Sequence, residues 1–300
     1  MGGIVGLLAA ASLLVAFLKV LQPQKDRTEL VLRTRTWWII LGLFLGALLL
    51  NKDAAIVLFA FVSYLALKEY LSLIPTRRAD RHVFFWAYLS IPVQYWWIHI
   101  ESYGMFIIFI PVYMFLFLPM YMVFKGETQG FLKAAGTLHW GLMVSVFSLS
   151  HLGFLLVLPK EGDFIAGGVG LVLYLACLTE LNDVAQYVWG KRFGKRKVVP
   201  VVSPNKSWAG LIGGVVTTVV LAYLLAPFLT PLSPIDSIFA GVIIGFGGFL
   251  GDVTVSAVKR DIGIKDTGTL LPGHGGILDR VDSLTFTAPL FLHFVRYFYF

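Results

Sequence analysis

The chemistry-bearing residues of this chain gather toward its C-terminal end. Between positions 251 and 283 stand Asp252, Ser256, Lys259, Arg260, Lys265, Asp266, His274, Asp279, Arg280 and Asp282, with Gly275-Gly276 directly after the histidine. If a helix continues past Asp252, then Asp252, Ser256 and Lys259 follow i, i+4, i+7 spacing and share one face. Asp279 and Asp282 stand three apart, again on one face, at the start of the next helix. Helix-dipole capping explains one of these aspartates, but not both together with Asp252. Three carboxylates offer the hard oxygen ligands that Mg²⁺ takes (Mn²⁺ would serve similarly), and Mg²⁺ keeps its other positions for water and phosphate oxygens. The expected metal ligands are therefore Asp252, Asp279 and Asp282. Lys206, Lys259, Arg260, Lys265 and Arg280 supply charge to neutralise a polyphosphate. Gly275-Gly276 leaves room for the backbone to approach an anion. His274 reads equally well as a titrating group or as a hydrogen-bonding residue in a tight turn. The single cysteine, Cys177, and the lack of paired histidine spacing argue against zinc.

A second polar stretch lies upstream. Thr179-Glu180-Leu181-Asn182-Asp183 places two carboxylates and an amide at the inner end of an apolar run, and a strongly basic segment, 190–197, follows. In Ser203-Pro204-Asn205-Lys206-Ser207, Ser203 suits a helix N-cap and Pro204 the first helical position. A helix beginning there would present free N–H groups, with Lys206 in its first turn, to a phosphate. An ordinary capped helix with a snorkelling lysine explains the same segment. Together the two stretches imply phosphoryl or nucleotidyl transfer.

These residues must be positioned by a chain made mostly of oil. Of 300 residues, 58% are hydrophobic and 14% charged, with a mean hydropathy of +0.81. Soluble domains run at roughly 45–50% apolar and about 25% charged, so part of the solvent must be lipid. A cytosolic enzyme, a nucleic-acid-binding domain and a disordered protein are excluded, and nucleic acid is no expected partner. Apolar runs occur at about 2–20, 37–50, 54–67, 83–100, 104–124, 141–158, 165–181, 208–229, 238–252 and 284–300. Because they are continuous rather than alternating, they predict membrane helices and not a barrel. If the N-terminus faces outward, 21 of the 24 Lys and Arg fall in the five inward loops, as the positive-inside rule requires. The expectation is an all-α polytopic membrane protein with ten helices, nine being the main competitor. Residues 1–164 carry little chemistry, and residues 165–300 carry the motif loops of what is still one membrane domain. The basic loops 19–36 and 68–82 read as topology signals. Glycines at 210, 213, 214, 245, 247, 248 and 251 suit close helix packing, within one chain or in a homodimer.

The stretch Ser256-x-x-Lys259-Arg260-x4-Lys265-Asp266-x5-Pro272-x-His274-Gly275-Gly276-x-x-Asp279-Arg280-x-Asp282 resembles the signature of phosphatidate cytidylyltransferases (CDP-diacylglycerol synthases). Ser203-Pro204-x-Lys206-x-Trp208-x-Gly210 and Asp183-x-x-x-Tyr187-x-x-Gly190 resemble two further segments of that family. Strong similarity covers about 183–283. The resemblance implies that CTP and phosphatidic acid react at the cytoplasmic face of a bacterial plasma membrane, giving CDP-diacylglycerol and pyrophosphate. It implies catalytic roles for Asp252, Lys259, Arg260, Asp279, Arg280 and Asp282. Substrate contacts would come from Asp183, Ser203, Lys206, Ser256, Lys265, Asp266, His274, Gly275 and Gly276, with Asp183 a further candidate metal ligand. Family members usually carry Glu where Ala209 stands and Thr where Ser207 stands, and the form of 182–187 is uncommon. These departures bear on the lipid acceptor. A cytidylyltransferase for another lipid phosphate, a CTP-dependent lipid kinase and a transporter using Glu180, Asp183 and Asp252 are the rivals. On this reading Asp279→Asn abolishes turnover and leaves folding nearly intact, which parallel activity and melting measurements check.

Overall fold

Every apolar run folds as helix, and several helices overrun the apolar stretch that announced them. The computed structural model describes residues 2–21, 28–75, 77, 81–124, 126–160, 162–268, 270–273 and 275–300. The elements are α1 (Gly2–Leu21), α2 (Thr28–Leu50), α3 (Lys52–Leu73), α4 (Arg81–His99), α5 (Tyr103–Ile108), α6 (Phe115–Val123), α7 (Phe131–Leu142) and α8 (Ser148–Val157). They continue with α9 (Gly167–Phe193), α10 (Trp208–Leu229), α11 (Pro234–Asp261), α12 (Leu278–Val281) and α13 (Leu284–Tyr299). One π-helical stretch, Phe109–Met114, joins α5 to α6, and another, Met143–Phe147, joins α7 to α8, so each pair is one rod. Among the described residues there is no β-strand, only the isolated bridges Lys197–Ser207 and Leu271–Gly275. Seven rods are long and apolar enough to cross a membrane: α2, α3, α5–α6, α7–α8, α9, α10 and α11. The protein is a polytopic membrane protein; α1, α4 and α13 are not among the seven, so the expected count of ten crossings is not reached by this measure.

The core forms around α8, all ten of whose residues, Ser148 to Val157, are buried. α3, α9 and α13 pack on it, while α10 lies between α9 and α11. Close approach on the motif side rests on missing side chains. At Gly251 an added Cβ would stand 2.5 Å from the Asp282 carbonyl oxygen, so α11 can reach the α12–α13 joint only with glycine there.

Two helices differ from the sequence reading in ways that move candidate residues. α9 continues to Phe193, so Glu180, Asn182 and Asp183 lie within the rod and not at its inner end. Asn182 is fully buried there, donating to the Gly245 carbonyl at 3.1 Å and accepting from Thr218 Oγ1 at 3.1 Å. These bonds satisfy an amide that would otherwise be costly at this depth. α10 begins at Trp208, capped by Ser207, whose Oγ accepts from the Gly210 N–H at 3.2 Å. Ser203 is not its N-cap. The backbone of 196–208 closes on itself through Val198 N–H to Lys206 O (3.1 Å), Trp208 N–H to Arg196 O (3.1 Å) and Ser203 N–H to Val199 O (2.9 Å). Those bonds give the segment's polar groups partners without helix, and they place Lys206 ahead of the cap.

Substituting Gly251→Ala should therefore lower the melting temperature in detergent by pushing the α12–α13 joint outward, at a cost of about 1–3 kcal/mol. Gly46→Ala on α2, where nothing lies within 4 Å of the added methyl, should not lower it.

Candidate functional site

Two polar centres form where α9, α11, the 194–207 loop and the α12–α13 joint meet. In the first, the Lys206 ammonium lies 2.5 Å from Asp252 Oδ2 and donates to Gln186 Oε1 at 3.2 Å. Ser256, one turn along α11, donates to Asp252 Oδ1 at 3.2 Å, so the expected shared face exists. Asp183 on α9 accepts from Ser283 Oγ at 2.8 Å through Oδ2, while its Oδ1 is buried without a partner. The Ser283 N–H donates to Asp282 Oδ1 at 2.8 Å. Asp183, Asp252 and Asp282 thus converge around one lysine. Burial, followed by the Asp252 and Asp183 charges, pushes the Asp282 carboxyl well above its usual range. Burial works against the Lys206 ammonium, but the Asp252 and Asp183 charges outweigh it and raise its pKa. The centre is rich in negative charge.

The second centre is self-satisfied. Asp279 accepts from Lys259 Nζ at 2.8 Å, from the Thr267 N–H at 2.8 Å, from Thr267 Oγ1 at 2.9 Å and from the Gly276 N–H at 3.1 Å. Both members of the ion pair are buried, each at 8% exposure. Burial would raise the Asp279 carboxyl, but the bonds from Lys259, Thr267 and Gly276 hold it below the usual range. Asp279 and Asp282 therefore face different centres, and the expected trio of Asp252, Asp279 and Asp282 is not gathered. The physical reason is that Lys259, Thr267 and Gly276 saturate Asp279. Among the described residues no three His, Cys, Asp or Glu side chains are pre-arranged to hold a metal.

The other expected residues divide similarly. The Arg260 guanidinium donates to the Val202 carbonyl at 3.3 Å and the Ile264 carbonyl at 2.8 Å, tying two loops together. Lys265, Asp266 and Arg280 are exposed on the rim, Ser203 is half-buried in its loop, and His274 lies outside the described residues. Gly275 and Gly276 do admit anions closely, but these are protein carboxylates. A Cβ on Gly275, whose φ is +81°, would meet Asp279 at 2.8 Å, and one on Gly276 would meet Glu69 at 2.0 Å.

Glu69, near the end of α3, escaped the sequence reading, where its loop counted only as a topology signal. Its carboxylate accepts from the Ile277 N–H at 2.9 Å, the Leu278 N–H at 3.1 Å and the Thr267 hydroxyl. No local spacing connects position 69 with 267, so no signal was there to find. Gln186 and Ser283 were likewise missed. A cavity of about 290 Å³ between the α7–α8 rod and α11 and α13 is lined by Trp140, Met143, Thr254, Thr285, Phe286 and Leu290.

The helical bundle thus brings acids and lysines together where α9, α11 and the α12–α13 joint meet. Comparison with known proteins gives the bundle a family: the cytidylyltransferase family matches residues 31–298, and the chain belongs to that family. It is 47% identical over 291 residues, 97% of this chain and 95% of the relative, to the uncharacterized protein YnbB of Escherichia coli K12. It is 45% identical over 132 residues to the phosphatidate cytidylyltransferase of Haemophilus influenzae and 39% identical over 143 residues to that of Mycobacterium bovis. Those two matches cover 42% and 48% of this chain, and 46% and 45%, less than half, of the respective relatives.

Asp279→Asn should do more than stop turnover, because it leaves the Lys259 charge buried without its anion; breaking such a pair costs about 3–5 kcal/mol. Adding Lys259→Met should recover part of the lost melting temperature. The unfolded chain protonates Asp279 at a pKa of about 4, above its value in the fold. The stabilisation is therefore complete above that pH and lost as pH falls toward the folded value. Melting curves between pH 3 and 7 should show the wild type losing stability at the acid end more steeply than Asp279→Asn.

Proposed function

We propose that this protein transfers the cytidylyl group of CTP to phosphatidic acid, giving CDP-diacylglycerol and pyrophosphate at the cytoplasmic face of a bacterial plasma membrane. The observation that carries the reading is the convergence of Asp183, Asp252 and Asp282 on Lys206, with the buried Asp183 Oδ1 lacking a partner. A centre with that excess of hard oxygen suits a divalent cation and the triphosphate it escorts. Asp183, Asp252 and Asp282 would be its ligands only after Lys206 yields Asp252 and the three carboxyls draw together, since as they stand they form no ready three-acid set. When bound, Mg²⁺ or Mn²⁺ would supply Lewis-acid polarisation of the α-phosphate and offset charge on the leaving pyrophosphate.

The reaction asks little covalent help of the protein. A phosphatidate oxygen attacks the α-phosphorus of CTP, the bond from that phosphorus to the oxygen bridging toward the β-phosphate breaks, and pyrophosphate departs. The nucleophile is already an oxyanion, so no general base is required, and catalysis comes from alignment and charge neutralisation. Lys206 holds a phosphate oxygen beside Asp252, with Gln186 fixing the direction of its ammonium. Arg280 and Lys265, on the rim, draw in the triphosphate. Lys259 acts through Asp279, keeping the loop that carries Lys265 and Gly275 in place. The largely apolar cavity lined by Trp140, Met143, Phe286 and Leu290 suits an acyl chain. Ala209 and the uncommon segment 182–187 favour testing a second acceptor class, other lipid phosphates.

Purified protein in detergent should release pyrophosphate only when CTP, Mg²⁺ and phosphatidic acid are all present, and Asp282→Asn should abolish release. Pyrophosphate release with a different lipid phosphate alone would reassign the acceptor; CDP formation would favour the kinase. Independently of turnover, saturating Mg²⁺ should raise the melting temperature, since a ligand at a hundred times its Kd stabilises by about 2.7 kcal/mol. EDTA should reverse the shift, and Asp183→Asn should remove it.

A further inference from the structure

The contacts of Glu69 reach from the N-terminal helices, which carry no signature residue, into the segment between α11 and α12, which carries half of the C-terminal signature. Its carboxylate takes two successive backbone N–H groups, those of Ile277 and Leu278, and the hydroxyl of Thr267. The Thr267 N–H donates to Asp279, so one residue ties Glu69 to the Lys259–Asp279 pair. The fit is built into the sequence on both sides. Gly276 has no room for a side chain because Glu69 occupies the place of a Cβ, and Gly268 lies 3.1 Å from the same carboxylate by that measure. α2 adds a second hold, Thr36 Oγ1 donating to the Pro272 carbonyl at 2.9 Å.

We propose that Glu69 is a positioning residue for the transfer reaction, a latch by which α3 holds Thr267 and the start of α12 in place. It touches no substrate. Its carboxylate caps two N–H groups at the entry to α12, the element that leads directly to Asp282, and so sets where that carboxyl stands relative to Asp183 and Asp252. The two halves of the chain are thereby one catalytic unit, although the recognisable residues fall in only one of them. This inference rests on the cytidylyltransferase reading for its kinetic arm alone.

The test compares full-length wild type with Glu69→Ala, Glu69→Gln and Glu69→Asp in detergent. Misplacement of a reacting group by about an ångström costs on the order of 100-fold, so Glu69→Ala should lower kcat by on the order of 10- to 100-fold. KM for CTP should move by less than about threefold, as for an interaction expressed mainly in the transition state. Glu69→Asp, which keeps the carboxylate, should recover more activity than Glu69→Gln, whose amide presents a donor toward N–H groups. In parallel, trypsin should cut after the exposed Lys265 faster in Glu69→Ala than in wild type at a temperature where both remain folded. Unchanged kcat in Glu69→Ala, or a loss that merely tracks its melting temperature with Lys265 cleavage unchanged, overturns the latch. If the wild type itself fails to turn over CTP with phosphatidic acid, the functional reading fails separately. The trypsin comparison then decides the latch alone: faster cleavage supports it and equal cleavage overturns it.

Discussion

Lys206 carries its ammonium into a space that carboxylates already share, and the motif half of the protein is arranged around that contact. Asp252 pairs with it directly at 2.5 Å, while Asp183 and Asp282 act on it through charge. One cation does not balance three acids in a poorly hydrated setting, where like charges raise each other's cost of ionisation. The unpartnered Asp183 Oδ1 is the visible sign of that imbalance. Such a centre is held together by helix packing and not by its own electrostatics. On the proposed function, a divalent cation would relieve that imbalance.

The second centre shows the opposite design. Asp279 meets its buried lysine and three further donors, so its charge is spent inside the protein. A buried pair of this kind contributes little net stability when complete, but a great deal is lost when one partner is removed. Two aspartates three residues apart therefore serve different ends, one organising a loop and the other facing the acidic centre. The short helix α12, Leu278–Val281, holds Asp279 in its first turn and ends directly before Asp282, so the chain turns from one task to the other within it.

Membrane embedding sets the scale on which this happens. α9 and α11, with 27 and 28 residues, are about 40 Å long, and a hydrocarbon core is about 30 Å thick. Each rod can cross the core and still carry further turns toward headgroup depth. On the proposed function, a lipid phosphate would meet the chain at that depth. The cytidylyltransferase family membership of 31–298 takes in α3 as well as the motif helices, consistent with one undivided structural unit.

Helix content, the membrane setting and the family signature were all legible in the order of residues, because each rests on local spacing. Continuous apolar runs, charges biased to alternate loops and the i, i+4, i+7 face of Asp252, Ser256 and Lys259 need no knowledge of what packs against them. Caps were less legible: Ser203-Pro204 and Ser207 compete for the same helix start, and backbone bonds across the 196–208 loop decided for Ser207. Tertiary structure alone decided which acids meet. Asp183 reaches Ser283 across 100 residues and Glu69 reaches Thr267 across 198, and no helical period encodes a contact at such separation. Asp279 and Asp282 share a local spacing yet part company, because burial beside Lys259 saturates one and burial beside Asp183 and Asp252 strains the other. The types of residue available for chemistry were a property of the sequence, whereas their partners were set by the way the rods pack, since a charge takes its energy from what surrounds it in space.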